Sequence, residues 1–199
     1  MTVFIFVRHG QATHNLSGAY WDPAERDAAL TPEGVRQVRA IRAERLGERC
    51  DAVWCSPLQR CRATLLLLLG DMARIARVFL DDRLMEPQGG GGVVNRRAEW
   101  SVLRDDLPSQ WDTTNISVVN PFDVWVEGGT VGEEGHDGFD RRVRVWTEEM
   151  HRRWPSGRIL VVTHHDWIAS WFRQFGGAER RRVSLQNAEW IVGQWPVGR

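Results

Sequence analysis

The chain has no lysine: all 26 of its basic residues are arginine. That excludes a lysine-bearing phosphate loop and a Schiff-base lysine, and it leaves arginine to handle any anionic ligand. Arginine suits the task, because its planar guanidinium holds two phosphate oxygens at once. Net charge is missing as well, since 26 acids balance the 26 bases. Without a chain-wide basic field, neither nucleic acid nor a membrane surface is an expected partner. Long apolar runs are also absent. The leucines from Leu65 to Leu69 fall far short of the roughly 20 residues of a membrane span and read as a buried helix segment. Cysteines are few and odd in number (Cys50, Cys55 and Cys61), and no secretory-type apolar segment follows a basic start. The expected setting is a reducing cytoplasm. A cysteine phosphatase needs arginine six positions after its nucleophile; that position holds Cys61 when counted from Cys55 and Ser56 from Cys50, so this chemistry fails. One tyrosine stands against 11 tryptophans, most of them expected in core packing and a few along a ligand cavity.

What is present alternates. Strand-like runs occur at TVFIFV near the start, DAVWC ending at Cys55, RVFLD ending at Asp81, RILVVT ending at Thr163 and AEWIVGQW near the end. Helical patterns lie between them. One follows ALTPEG, where Thr31 suits the cap and Pro32 the first helical position, with Val35, Val38, Ile41 and Leu46 on one arc. A second is predicted to start at Ser56 and Pro57 and to end at Gly70. A third starts near Asp137 and aligns Phe139, Val143, Trp146 and Met150. The last runs from about Asp166 to Gly176, with Trp167, Trp171, Phe172 and Phe175 inward. The fold class expected is α/β: one domain of 199 residues, a three-layer sandwich with a central, mainly parallel sheet and helices on both faces. The segment from about residue 87 to 135, with QGGGGVVN and little periodicity, reads as an inserted cap.

In open α/β sheets ligands bind beyond the carboxyl ends of the strands, and the polar residues that need explaining collect there. Arg8 and His9 follow the first strand, Ser56 to Arg60 the second, Glu86 the third, and His164 follows RILVVT directly. With Ser56 as cap and Pro57 first, Arg60 leans back over the strand ends, because helical side chains point toward their own N-terminus. Two arginines and two helix N-termini on one edge make an anion site, and a phosphoryl group fits it. The histidines then supply chemistry. His9, kept neutral by the guanidinium groups, is the expected nucleophile. His164, Arg8 and Arg60 would stabilise the transition-state charge, and Glu86, protonated by desolvation, would serve the leaving alkoxide. No metal and no cofactor is required. A metallohydrolase built on His164, His165, Asp166 and His136 is disfavoured, because adjacent residues of a strand end face opposite ways.

RHGQATHN, ALTPEGVRQV, CSPLQR, RLME and VVTHH, in this order and spacing, resemble the histidine phosphatase superfamily, in its phosphoglycerate mutase-like branch. The form of RHGQATHN, with NAE near the end, is most similar to the smaller eukaryotic and fungal-type members. The resemblance implies a phosphohistidine at His9, a phosphoryl group held by Arg8, Arg60 and His164, Glu86 as proton donor, and Asn15 in contact with phosphate or substrate. His165 stands where relatives carry glycine and is expected to line the substrate pocket. The implied activity is metal-independent hydrolysis of a small phosphorylated metabolite. A phosphoglycerate-type phosphomutase and a catalytically silent phosphate-binding module are the alternatives. The mutases' insertion rich in Arg and Tyr is missing after the acid, which favours the phosphatase. His14, His136 and His151 are expected on the surface or in loops. Oligomeric state is not legible.

Overall fold

The computed structural model describes residues 1–18, 22–41, 50–70, 78–87, 95, 116–119 and 135–195. In chain order these form β1 (Thr2–Arg8), α1 (Thr13–Ser17), α2 (Pro32–Ala40), β2 (Ala52–Cys55), α3 (Gln59–Leu69), β3 (Val78–Asp81), β4 (Ile116–Val119), α4 (His136–Arg153), β5 (Arg158–Thr163), α5 (His165–Phe175) and β6 (Trp190–Trp195). They build a six-stranded sheet in the order β4-β3-β2-β5-β1-β6. All pairings are parallel except β1 with β6. The carboxyl ends of β1, β2, β3 and β5 therefore share one edge.

Alternation along each strand sorts the core into two layers. Phe4, Phe6, Trp54, Phe79, Ile159 and Val161 face α4 and α5, where they meet Phe139, Val143, Trp146, Met150, Trp167, Trp171 and Phe172. Ile5, Val7, Val53, Leu80, Leu160 and Val162 face the other way, toward Val38 of α2 and Cys61, Leu65, Leu68 and Leu69 of α3. Four tryptophans, Trp54, Trp146, Trp167 and Trp171, are fully buried. Trp146 meets Trp167 edge to face at 5.2 Å, the geometry that aromatic quadrupoles prefer. The expected three-layer α/β sandwich is thus present.

Two local readings change. Helix α3 starts at Gln59, three residues after the expected cap, and Leu58 in its N-cap position has no cap-bonding side chain. The orphan N–H of Gln59 instead donates to Asp27 Oδ1 at 2.6 Å. A loop 32 residues upstream supplies the acceptor that the first turn needs, which frees Ser56 for other work. Within the span read as a cap, Ile116–Val119 pairs with β3 as an edge strand of the main sheet. Apart from these residues, Pro87, Asn95 and Gly135, that span lies outside the described residues, as does Leu46 of the helical arc after ALTPEG. Elsewhere Thr31 caps α2 as expected, its side chain accepting from the Gly34 N–H. Among the described residues no helix is long and apolar enough to cross a membrane.

Candidate active site

The site grows from the sheet ladder. Arg8 pairs with Thr163, and the next amide, that of His9, donates to the Thr163 carbonyl at 3.1 Å. The Ser56 amide likewise donates to Val162 at 3.0 Å. His9, Ser56 and His164 are therefore delivered by three adjacent parallel strands, β1, β2 and β5. The backbone after His9 folds onto α2 at Gly10 and Gly34. A Cβ on Gly34 would lie 2.1 Å from the Gln11 carbonyl oxygen, and one on Gly10 would lie 2.7 Å from the Gly34 carbonyl oxygen. This close approach is the physical content of ALTPEG. Polar pairs complete the seam: the Gln11 N–H donates to Gln37 Oε1 and the Gly10 N–H to Thr64 Oγ1.

His9 is buried, and Nδ1 lies 2.7 Å from the Gly10 carbonyl oxygen. A carbonyl only accepts, so Nδ1 carries the proton and Nε2 presents its lone pair. Arg60 Nε–H donates to that Nε2 at 3.3 Å, which agrees with the assignment. Burial first, then the Arg60 and Arg8 guanidinium groups, hold His9 well below the usual imidazole range. His164, whose ring centroid is 5.1 Å from that of His9, is lowered by burial and Arg60 in the same way. Its Nε2 lies 2.8 Å from Ser56 Oγ and 3.4 Å from Cys61 Sγ. Ser56 thus holds an imidazole where a helix cap was expected. Arg60 is itself buried, and Arg8 Nη1 donates to the Leu185 carbonyl.

Glu86 arrives on a short loop after β3 that is fastened by side chains from three elements. Thr163 Oγ1 donates to the Leu84 carbonyl, Trp167 Nε1 to that of Arg83, and Arg142 Nη1 to those of Arg83 and Met85. Glu86 Oε1 accepts from the Asp166 N–H at 3.4 Å, while Oε2 is buried with no hydrogen-bond partner among the described residues. Burial, followed by the Asp166 charge, pushes this carboxyl up to about 8.

One residue behaves otherwise than its position in the sequence suggested. His14 is buried, not on the surface, 6.0 Å from His9, and burial and Arg60 bring it down to about 3. Asn15 turns toward its own loop: Oδ1 accepts from the Ala12 N–H and from Asn187, and Nδ2 donates to His14 Nε2. His165 opens α5 and sits 3.3 Å from the Leu185 carbonyl through Nδ1, so in its neutral form Nε2 is left as an acceptor. His136 is an exposed residue at the start of α4, and His151 bonds Thr2 Oγ1 at the far end of that helix. Among the described residues no three His, Cys, Asp or Glu side chains converge to hold a metal ion. Sequence reasoning placed Ser56 at this edge only as a helix cap, and it missed His14, Asp27 and Arg142 as parts of the site's support. Only the burial of a polar residue marks such groups, and burial is not written in the chain.

Residues 4–197 match the model of the histidine phosphatase superfamily, branch 1. Among curated proteins, the metal-independent phosphoserine phosphatase of Arabidopsis thaliana is 28% identical over 98% of this chain and 81% of its own length. The 2,3-bisphosphoglycerate-dependent phosphoglycerate mutase of Xanthobacter autotrophicus is 27% identical over 82% of this chain and 75% of its own. Among solved structures, a putative alpha-ribazole-5'-P phosphatase from Escherichia coli superposes with a TM-score of 0.65 at 22% identity, over 96% of this chain and 90% of that one. The sheet edge described above, together with a family match over nearly the whole chain, places the protein in the histidine phosphatase superfamily, branch 1, as a phosphomonoester hydrolase.

Proposed function

We propose that the chain hydrolyses a small phosphorylated metabolite through a phosphohistidine at His9 Nε2. The reading rests on the His9 tautomer: Nδ1–H is committed to the Gly10 carbonyl, so Nε2 is the unprotonated nitrogen, and its lone pair, which accepts from Arg60 Nε–H, turns to phosphorus when the phosphoryl group takes over that donor. Nε2 attacks phosphorus, the bond to the ester oxygen breaks, and Glu86 gives its proton to the departing alkoxide. Water then attacks the phosphohistidine and passes a proton to the Glu86 carboxylate, which releases inorganic phosphate and restores the starting state. Arg8, Arg60 and His164 hold the phosphoryl oxygens. Asn15 acts by positioning the loop after His9, and His165 lines the rim beside Leu185. No metal enters these steps.

The raised Glu86 and the lowered His9 support the assignment, since an acid that is protonated and a base that is not, at one pH, are what the two steps need. The likeness to a mutase keeps phosphoryl return to an acceptor alcohol as a second reading; the same phosphohistidine serves both. The deciding experiment quenches turnover of an aryl phosphate in base, where phosphohistidine survives, with a chelator present throughout. Stoichiometric labelled phosphoprotein in the native chain, absent from His9→Ala, is the expected result. Chelator-abolished activity, or labelling that persists in the variant, overturns the proposal.

A further inference from the structure

The phosphate grip and the acid sit on different elements, Arg60 on α3 and Glu86 after β3. One described side chain spans them. Asn95, from the glycine-rich stretch that begins at Gln88, accepts from Arg60 Nη2 through Oδ1 at 2.7 Å. The Nδ2 of the same carboxamide donates to the Pro87 carbonyl at 3.0 Å. Pro87 directly follows Glu86. A carboxamide has one acceptor end and one donor end, so no charged residue and no hydroxyl reproduces this bridge over the same span.

We infer that Asn95 is a positioning residue which couples the phosphate-gripping Arg60 to the backbone that carries Glu86. The inference rests on the phosphohistidine reading above. Arg60 already gives its Nε–H to His9, so the Asn95 bond fixes a second edge of the same guanidinium and sets its plane. On the other side, Arg142, Thr163 and Trp167 hold the carbonyls of residues 83 to 85, all before Glu86. Asn95 holds the carbonyl just after it. With both flanks tied, the carboxyl has a defined height above the group that Arg60 grips. When a proton must reach a departing oxygen, an error of a fraction of an ångström in that height lowers the rate.

A coupling of this kind leaves a mark that a merely structural residue does not. Esters with an excellent leaving group need no proton donor, whereas poor leaving groups do. In a series of aryl phosphates from dinitrophenyl to phenyl phosphate, Asn95→Ala is expected to lose about 5-fold in kcat/KM at the activated end through Arg60 alone. At the phenyl end it is expected to lose about 10-fold more, so that its rates depend more steeply on the leaving group, in the direction of Glu86→Gln. Asn95→Asp keeps the acceptor and loses the donor. It should show the same steepening, with weaker inhibition by inorganic phosphate, because its carboxylate competes for the Arg60 guanidinium. Losses equal across the series in both variants, or no loss at all, overturn the coupling. His9→Ala is run alongside: if it matches the native chain, the phosphohistidine reading itself fails, and the role given to Asn95 fails with it.

Discussion

Arg60 points its Nε–H at the nitrogen of His9 that the Gly10 carbonyl leaves unprotonated. Burial, and then this charge 3.3 Å away, keep the imidazole neutral, while the same bond holds its lone pair in one direction. Replacing Arg60 by lysine keeps the charge and loses the planar fork. We expect Arg60→Lys to lower kcat/KM by about 100-fold and to weaken inhibition by inorganic phosphate, read from steady-state kinetics at fixed ionic strength. Near-native values would separate Arg60 from the phosphoryl group.

The pH profile follows from two opposite shifts. His9 lies well below 6.5 and must be neutral, so the acidic limb of kcat/KM falls well under pH 6.5. Glu86 is raised to about 8 and must be protonated, so turnover of poor leaving groups declines as pH rises through about 8. Glu86→Gln should abolish the alkaline limb along with most of the rate for such esters. A surviving limb at about 8 in that variant would assign it to another group.

Stability carries the same signature. Glu86 binds its proton more tightly folded than unfolded, so its contribution is full below about 4.5 and is lost as pH rises through about 8. For His9 the sign reverses, because the unfolded chain takes up the proton first and stability falls as pH drops below 6.5. Denaturant unfolding of the native chain and Glu86→Gln at pH 5 and pH 8.5 tests this. The variant should lose less stability between the two.

Ser56 Oγ meets His164 at 2.8 Å and accepts the Leu58 N–H at 3.4 Å just before α3, so Ser56→Ala removes a buried partner of the imidazole. Helix α3 keeps its acceptor from Asp27. We expect about a 10-fold loss in kcat with helix content by circular dichroism unchanged. Asp27→Ala should do the reverse, costing about 1 kcal/mol of stability through the lost cap and the Arg62 pair.

Arg142→Met leaves the carbonyls of Arg83 and Met85 without their guanidinium, two groups on the loop that precedes Glu86. The expected cost is about 2–4 kcal/mol in denaturant unfolding, together with a larger loss on phenyl than on dinitrophenyl phosphate. Gly34→Ala places a Cβ against the Gln11 carbonyl and should cost about 1–3 kcal/mol, displacing the loop after His9.

The sheet was legible in the chain because its signals are local. TVFIFV and RILVVT alternate between two buried faces, Thr31 caps with its own hydroxyl, and Phe139, Val143, Trp146 and Met150 repeat at the helical period. Parallel strands then place Arg8, His9, Ser56 and His164 at one edge with no further information. Nonlocal closure decided the remainder. Whether Ser56 caps a helix or holds an imidazole depends on Asp27, 32 residues before Gln59, arriving to satisfy the orphan amide. Whether His14 faces water depends on how α1 docks, and the tie from Arg60 to Pro87 exists only because Asn95 returns to the sheet edge from a stretch without periodicity. Periodicity encodes which face of an element is buried; it carries no record of which distant polar group will meet a given donor, because that pairing costs or stabilises only after the chain has closed on itself.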